Sequence, residues 1–128
     1  MKTIPTLLFA LLIGCTQSIK NFPPATTPIE AGRNYIEACL QGDFEKAKAY
    51  AAANDTMQSY TTSTEKIYRT LDKEGRSNFR QASIIILDIT DQDSLHTLIQ
   101  YRNSMDNTPH QLAIEKAKGN WQVTSITP

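Results

Sequence analysis

The spacing of the apolar residues changes at Ile84-Ile85-Ile86-Leu87-Asp88-Ile89, and this stretch divides the chain into two parts of different structure. Consecutive isoleucines favour a strand, because branched side chains pack well on a pleated surface. After this stretch, three more segments predict strands joined by short turns, at 94–102, 110–117 and 121–127. Before it, apolar residues recur at helical spacing. Helices followed by an antiparallel meander of four strands predict an α+β domain.

Three helices are predicted in the N-terminal part. The first begins at Thr27-Pro28-Ile29-Glu30, which has the form of a capping box with proline at the first helical position, and it ends at Gly42. Asp43 can cap a second helix. The segment Asn54-Asp55-Thr56 offers caps for a third, whose apolar stripe ends before Gly75. The expected fold is therefore three helices packed on a four-stranded sheet.

Strand register predicts one candidate site. If Gln92-Asp93 is a two-residue turn and the next loop is centred on 104–109, the row Asp88, Thr97 and Lys116 borders the apolar face of the sheet. A carboxylate, a hydroxyl and an amine beside an apolar concavity could orient a ligand. The alternative is a solvated row with a weak ion pair, and a slip of one residue in either hairpin removes the row. The face expected to meet the helices contains Ile84, Ile86, Ile99, Tyr101, Leu112 and Ile114. The candidate ligand-binding residues are Asp88, Thr97, Tyr101 and Lys116.

Other kinds of site receive no support from the sequence. In the predicted register His96 and His110 lie too far apart to share a metal ion, and the isolated glycines form no phosphate-binding loop. No metal, cofactor or catalytic residue is expected. The 13 basic and 13 acidic residues give a net charge of zero, which does not indicate a nucleic-acid partner. The helical tyrosines are expected in the core, with pocket lining as the alternative.

The N-terminus predicts export and lipid attachment. Lys2 precedes an apolar run at 7–13 that is too short to span a bilayer, and Leu12-Ile13-Gly14-Cys15 resembles the lipobox of bacterial lipoproteins. Its cysteine thiol would receive a diacylglycerol group. We therefore expect a signal peptide at 1–14, a lipidated Cys15 with a flexible tether to residue 27, and one domain at 28–128. The alternative is an ordinary secretory signal. Cys39 then has no partner in the chain and is expected to be a buried thiol.

The order of these segments resembles a known family. The segment 36–50, the following third helix and meander, and Lys118-Gly119-Asn120-Trp121-Gln122-Val123 are similar to small bacterial lipoproteins of unknown function with a nuclear-transport-factor-2-like (cystatin-like) domain. The resemblance implies a curved sheet that wraps around the helices to form a cone. In some members the cone is an enzyme pocket, and in others it is a binding or dimerising surface. No motif of ketosteroid isomerase or the polyketide cyclases is matched, so no catalytic residue is carried over.

These observations predict a lipoprotein of the bacterial cell envelope, held on a membrane by the lipid on Cys15. Its domain is expected to be non-catalytic and to bind a partner protein or a small apolar ligand. One alternative is an isomerase-like or cyclase-like enzyme that uses Asp88 with Thr97 or a tyrosine. Another is a structural subunit that forms a homodimer through its sheet.

Overall fold

The computed structural model describes residues 21–127. The predicted signal peptide, Cys15 and the first part of the predicted tether lie outside these residues. The described chain forms an α+β domain in which helices precede a four-stranded antiparallel sheet of order β1-β2-β3-β4. No helix among the described residues is long and apolar enough to cross a membrane. The elements are α1 (Pro28–Gln41), α2 (Phe44–Tyr50), α3 (Asp55–Thr70), α4 (Lys73–Gln81), β1 (Ile84–Asp93), β2 (His96–Asn103), β3 (His110–Ala117) and β4 (Asn120–Thr127).

The predicted helix boundaries follow from side-chain caps. The Thr27 hydroxyl accepts the backbone N–H of Glu30 at 3.2 Å, so α1 begins where the capping box placed it. The carboxylate of Glu30 accepts both the N–H and the hydroxyl of Thr26, one residue earlier than in a standard capping box. Gly42 ends α1 in the left-handed conformation, with φ of 76°. Asp43 and Asn54 cap α2 and α3.

The helix count differs from the prediction, because α4 is a fourth helix. Gly75, taken from the sequence as the end of the third helix, lies in the first turn of α4 and donates its N–H to the carboxylate of Asp72 at 2.7 Å. That cap restarts a helix two residues after Leu71 ends α3. None of the residues of α4 is buried, and Phe79 is its one large apolar side chain, so the sequence contains no apolar stripe that identifies this helix.

The sheet has the predicted faces but a different register. Tyr101 pairs with Ile86 and His110, where Ile84 and Leu112 were predicted, so the pairing at Tyr101 is shifted by two residues in both hairpins. A shift of two keeps these side chains on the predicted face, because side chains alternate with period two. Four of the six residues predicted on the core face are accordingly buried, and Ile84 and Ile86 pack against them partly buried. The buried four are Ile99, Tyr101, Leu112 and Ile114.

Local hydrogen bonds explain the shift. The Asp93 carboxylate accepts the N–H of Leu95 at 2.8 Å, which moves the first turn from Gln92-Asp93 to Ser94-Leu95. In the second loop, the side chain of Asn103 accepts the N–H groups of Met105 and Asp106. A bulge between Ile86 and Asp88 then reverses the faces in the rest of β1.

The core lies between the sheet and the helices, with α1 closest to the strands. Gly32 makes this approach possible, because a Cβ at that position would lie 3.1 Å from methyl carbons of both Leu112 and Ile114. The buried residues extend through α1, α2, α3 and three strands, and they include Tyr35, Met57 and Val123. The helices thus cover one face of the sheet.

The free edge of β4 is covered by two extended segments. The N–H of Trp121 donates to the carbonyl of Ala25 at 3.3 Å, and the N–H of Ala52 donates to the carbonyl of Val123 at 2.8 Å. Ala25 is only 2% exposed, and the hydroxyl of Tyr50 donates to the carbonyl of Pro23 at 2.8 Å. The end of the predicted tether, from about Phe22, therefore lies on the domain.

Candidate functional site

The four residues predicted as a ligand site do not form one row. Thr97 pairs with Asp91 and Ile114, so neither Asp88 nor Lys116 lies beside it. Asp88 pairs with Gln100 on the face away from the helices, is exposed and accepts the hydroxyl of Thr90. The bulge after Ile86 is the physical reason, because it turns Asp88 outward and brings Asp91 to the core face.

Thr97 and Lys116 have structural partners of their own. The hydroxyl of Thr97 is buried and donates to the carboxylate of Asp91 at 2.8 Å. The ammonium of Lys116 lies 6.0 Å from the centre of the Trp121 ring, at the limit of a cation–π contact. These contacts stabilise the end of the sheet near the first hairpin and leave Tyr101 as the member of the predicted set that lines a cavity.

Tyr101 lines a cavity of about 100 Å³ between the helices and the sheet. Helices α1 and α3 each contribute residues four positions apart, which lie on one helix face. Those pairs are Tyr35 with Cys39 and Tyr60 with Thr64. We call this space the tyrosine cavity, and its lining consists of Tyr35, Ile36, Cys39, Leu40, Tyr60, Thr64, Phe79, Tyr101, Asn103 and Ile126.

The polar groups of the tyrosine cavity are neutral donors. Burial raises the pKa of the Tyr35 and Tyr101 phenols well above their usual value, and partial burial raises the pKa of Tyr60 in the same direction. Burial also raises the pKa of the Cys39 thiol to about 12. All four groups therefore keep their protons near neutral pH. The cavity offers O–H and S–H donors against an apolar wall.

One of these donors is already held in place. The hydroxyls of Tyr35 and Thr61 share a hydrogen bond of 2.8 Å, and Thr61 is only 2% exposed. Because either oxygen can act as donor, Tyr35 can turn its proton toward the cavity when Thr61 donates to it. Tyr60 is 37% exposed, so it forms the outer wall of the cavity.

A histidine and a carboxylate lie beside this wall. The ring of His110 lies over Tyr101, with 5.4 Å between ring centres and 31° between planes. Its Nε2 is 3.5 Å from the Asp106 carboxylate. The sequence did not predict this neighbour, because the expected register paired His110 with Asn103 instead of Tyr101.

The sequence analysis also did not identify the helical residues that line the tyrosine cavity as site residues. Tyr35, Tyr60 and Cys39 were expected as core residues, and Tyr35 and Cys39 are buried as predicted. The available signal was their spacing, since Tyr35 with Cys39 and Tyr60 with Thr64 each recur after one helical turn. That spacing shows that each pair lies on one helix face. It does not reveal the space that remains between the faces of α1 and α3. Within residues 21–127, no group of three or more His, Cys, Asp or Glu side chains could hold a metal ion.

Comparisons with known proteins identify the fold of the chain. No protein-family model matches the chain, and no curated protein matches it. A solved nuclear-transport-factor-2-like protein of unknown function from Shewanella oneidensis aligns with a TM-score of 0.59 and 13% identity, over 77% of this chain and 92% of its own. Another such protein, from Cytophaga hutchinsonii, aligns with a TM-score of 0.49 and 13% identity, over 82% of this chain and 90% of its own. The first likeness confirms the nuclear-transport-factor-2-like fold that the sequence resemblance implied.

Proposed function

We propose that this nuclear-transport-factor-2-like domain is a non-catalytic binding module whose tyrosine cavity holds one end of a small, largely apolar ligand. The observation that carries the proposal is the ring of neutral phenols, Tyr35, Tyr60 and Tyr101, around an apolar lining. Such a lining favours a ligand with a hydrogen-bond acceptor, because each phenol can donate and none carries charge.

The size of the cavity limits what enters it. A water molecule occupies about 30 Å³ in the liquid, so about 100 Å³ admits a few heavy atoms. Most small-ligand pockets are several times larger, at roughly 300–1,000 Å³. The ligand would therefore place a small terminal group, such as a ketone or an ether, beside the tyrosines and extend outward past Tyr60.

The protonation state of the cavity argues against a tyrosine or cysteine general base there. A general base must be unprotonated at the working pH, and the raised pKa values of Tyr101 and Cys39 hold both groups in the protonated form. The enzyme alternative from the sequence relied on Asp88 as the base. Asp88 is exposed on the opposite face of the sheet and does not line the cavity.

Titration with cyclohexanone, monitored by NMR, tests this proposal. The ketone is expected to shift the ring signals of Tyr60 and Tyr101, whereas methylcyclohexane, which lacks an acceptor, binds more weakly. A Tyr101→Phe variant loses one hydrogen bond of about 0.5–1.5 kcal/mol, so its affinity for the ketone should fall by roughly two- to tenfold.

A Tyr68→Phe variant is the matched control for this titration. The Tyr68 hydroxyl donates to the carbonyl of Gln41 at 3.4 Å and is not part of the tyrosine cavity. Its removal should leave ketone binding unchanged. Shifts confined to residues outside the cavity, or equal affinities of the ketone and the hydrocarbon, would contradict the proposal.

We also propose that the domain is anchored to a membrane of the bacterial cell envelope by lipid on Cys15. The support is the sequence Leu12-Ile13-Gly14-Cys15 after a short apolar run. The first domain contacts are made near Phe22, seven residues after Cys15, and an extended chain spans about 3.3 Å per residue. The anchored domain would then lie within about 23 Å of its lipid.

Metabolic labelling with palmitate tests the anchor. The wild-type chain and a Cys39→Ser variant should both incorporate label, because the Cys39 thiol is buried. A Cys15→Ser variant should incorporate none and should leave the membrane fraction. Full incorporation in the Cys15→Ser variant would rule out lipid attachment at this position.

A further inference from the structure

A second concave surface lies where α2 ends and α3 begins, outside the tyrosine cavity. It has a volume of about 410 Å³, within the usual range for small-ligand pockets. We call it the corner groove. Its lining consists of Lys48, Ala51, Ala52, Ala53, Met57, Gln58, Thr61 and Thr62.

The groove exists because its inner wall is made of small side chains. Ala51 is extended and bridges to Val123 of β4, the N–H of Ala52 donates to the carbonyl of Val123, and the chain bends at Ala53 before α3. Alanine methyl groups fill little of the space between this segment and α3. Ala51 is 8% exposed, Ala52 is half-buried and Ala53 is exposed, so these alanines provide the apolar surface that a ligand can reach, over the fully buried Met57.

The charge at the rim of the groove is positive. Lys48 is exposed in the last turn of α2, and it carries the one charge among the lining residues. Among residues 21–127, no carboxylate lies within ion-pair distance of its ammonium. Gln58 and Thr62 add exposed polar groups on the α3 side. The groove therefore combines an apolar floor with an unpaired cation at its edge.

We propose that the corner groove binds a small amphiphilic anion, with its apolar body on the alanines at 51–53 and its carboxylate on Lys48. A hydrogen bond between ions is about twice as strong as one between neutral groups, so the charge of the head group determines the affinity. An alkyl monocarboxylate has this chemistry. The inference does not depend on the tyrosine cavity or on the lipid anchor.

Titration of the full chain with sodium hexanoate, monitored by NMR, tests the inference. Hexanoate should shift the methyl signals of Ala52 and Ala53 in a saturable way. A Lys48→Met variant keeps an apolar side chain of similar length but loses the charge, and its affinity should fall by roughly two- to fivefold. A Lys48→Arg variant should retain binding, and 1-hexanol should bind the wild-type chain as weakly as hexanoate binds the Lys48→Met variant.

Three results would overturn the inference. They are equal binding of hexanol and hexanoate, no loss of affinity in the Lys48→Met variant, and saturable shifts at Tyr60 and Tyr101 with none at Ala52 or Ala53. Because Lys48 is exposed, its replacement should leave the fold intact, so a lost signal cannot be attributed to unfolding. A Tyr101→Phe variant separates the two sites, since it should weaken ketone binding and leave hexanoate binding unchanged.

Discussion

At the scale of single residues, Gly42 is the position where the structure most clearly requires glycine. Its φ of 76° lies in the left-handed region, and a Cβ there would lie 2.4 Å from a ring carbon of Tyr68. We expect Gly42→Ala to lower the free energy of unfolding by at least about 2 kcal/mol, since the left-handed backbone costs roughly 1–2 kcal/mol and displacement of the ring adds to it. Urea denaturation measures this change.

Gly119→Ala is the matched control for the Gly42 prediction. Gly119 has a similar φ of 81°, but nothing lies within 4 Å of the position of its Cβ. Its replacement should cost only the backbone term, about 1–2 kcal/mol. If both variants lose the same stability, the contact between Gly42 and Tyr68 has no energetic role.

The structural role of a single residue was predicted correctly where it depends on residues nearby in the sequence. The Thr27 cap and the Gly42 stop depend on neighbours within one helical turn, and both are confirmed. Asp88 was assigned to the core face, and this was wrong, because its orientation depends on one extra residue inserted at a bulge. Tyr101 kept its face, because a register shift of two residues leaves the side-chain alternation unchanged.

At the scale of secondary-structure elements, a histidine joins the first hairpin to β3. The Nδ1 of His96 lies 2.8 Å from the Asp93 carboxylate, and its Nε2 lies 2.9 Å from the Glu115 carboxylate. Both nitrogens can donate only when the ring is protonated. The hydrogen bond to Asp93, and then the one to Glu115, raises the pKa of His96.

This arrangement predicts a pH dependence of stability. A raised pKa in the folded state contributes stability that is complete below the unfolded value, about 6.5, and that is lost as the pH rises through the folded pKa. The urea midpoint of the wild-type chain should therefore fall as the pH rises above about 6.5 and through the raised folded pKa of His96. In a His96→Gln variant this fall should be smaller. An identical fall in both chains would contradict the prediction.

Asn54 connects two elements through one side chain. Its Oδ1 accepts the N–H of Met57 at 2.8 Å at the start of α3, and its Nδ2 donates to the carbonyl of Thr124 in β4 at 3.1 Å. We expect Asn54→Ala to cost about 2 kcal/mol, roughly 1 for the cap and 1 for the bond to β4. Thermal denaturation with matched urea curves measures the loss.

Asn54→Ser separates the two contributions. Serine retains an oxygen that caps α3 but is too short to donate to Thr124, so this variant should lose only about half as much stability as Asn54→Ala. Equal losses in the two variants would show that the cap contributes nothing.

Elements were predictable where the apolar pattern is regular. Three helices and four strands were expected and are present, because their buried residues recur with period 3.6 or 2. The helix α4 was not expected, since none of its residues is buried and Gly75 suggested an end. The register of the hairpins was also wrong, because it is fixed by side-chain hydrogen bonds at Asp93 and Asn103 that alternation does not reveal.

At the scale of the whole molecule, the fold could be predicted from the sequence further than the site could. The resemblance of residues 36–50, the meander and residues 118–123 to a known family implied the nuclear-transport-factor-2-like fold, and the likeness to the solved Shewanella oneidensis structure confirms this fold. The tyrosine cavity could not be predicted, since it is the space left where α1, α3, α4 and the sheet fail to meet. Such a space depends on the approach of α1 at Gly32 and on the exact register, neither of which is encoded locally.

The covered edge of β4 limits how this molecule could polymerise. Ala25 and Ala52 occupy hydrogen-bonding positions there, so β1 is the open edge among the described strands. If two copies joined their sheets through β1, each would consume the edge that the next copy needs, and growth would stop at two. A sheet with two open edges could instead extend into a fibre. The contacts that hold residues 22–25 against the domain therefore also prevent sheet-to-sheet assembly beyond two copies.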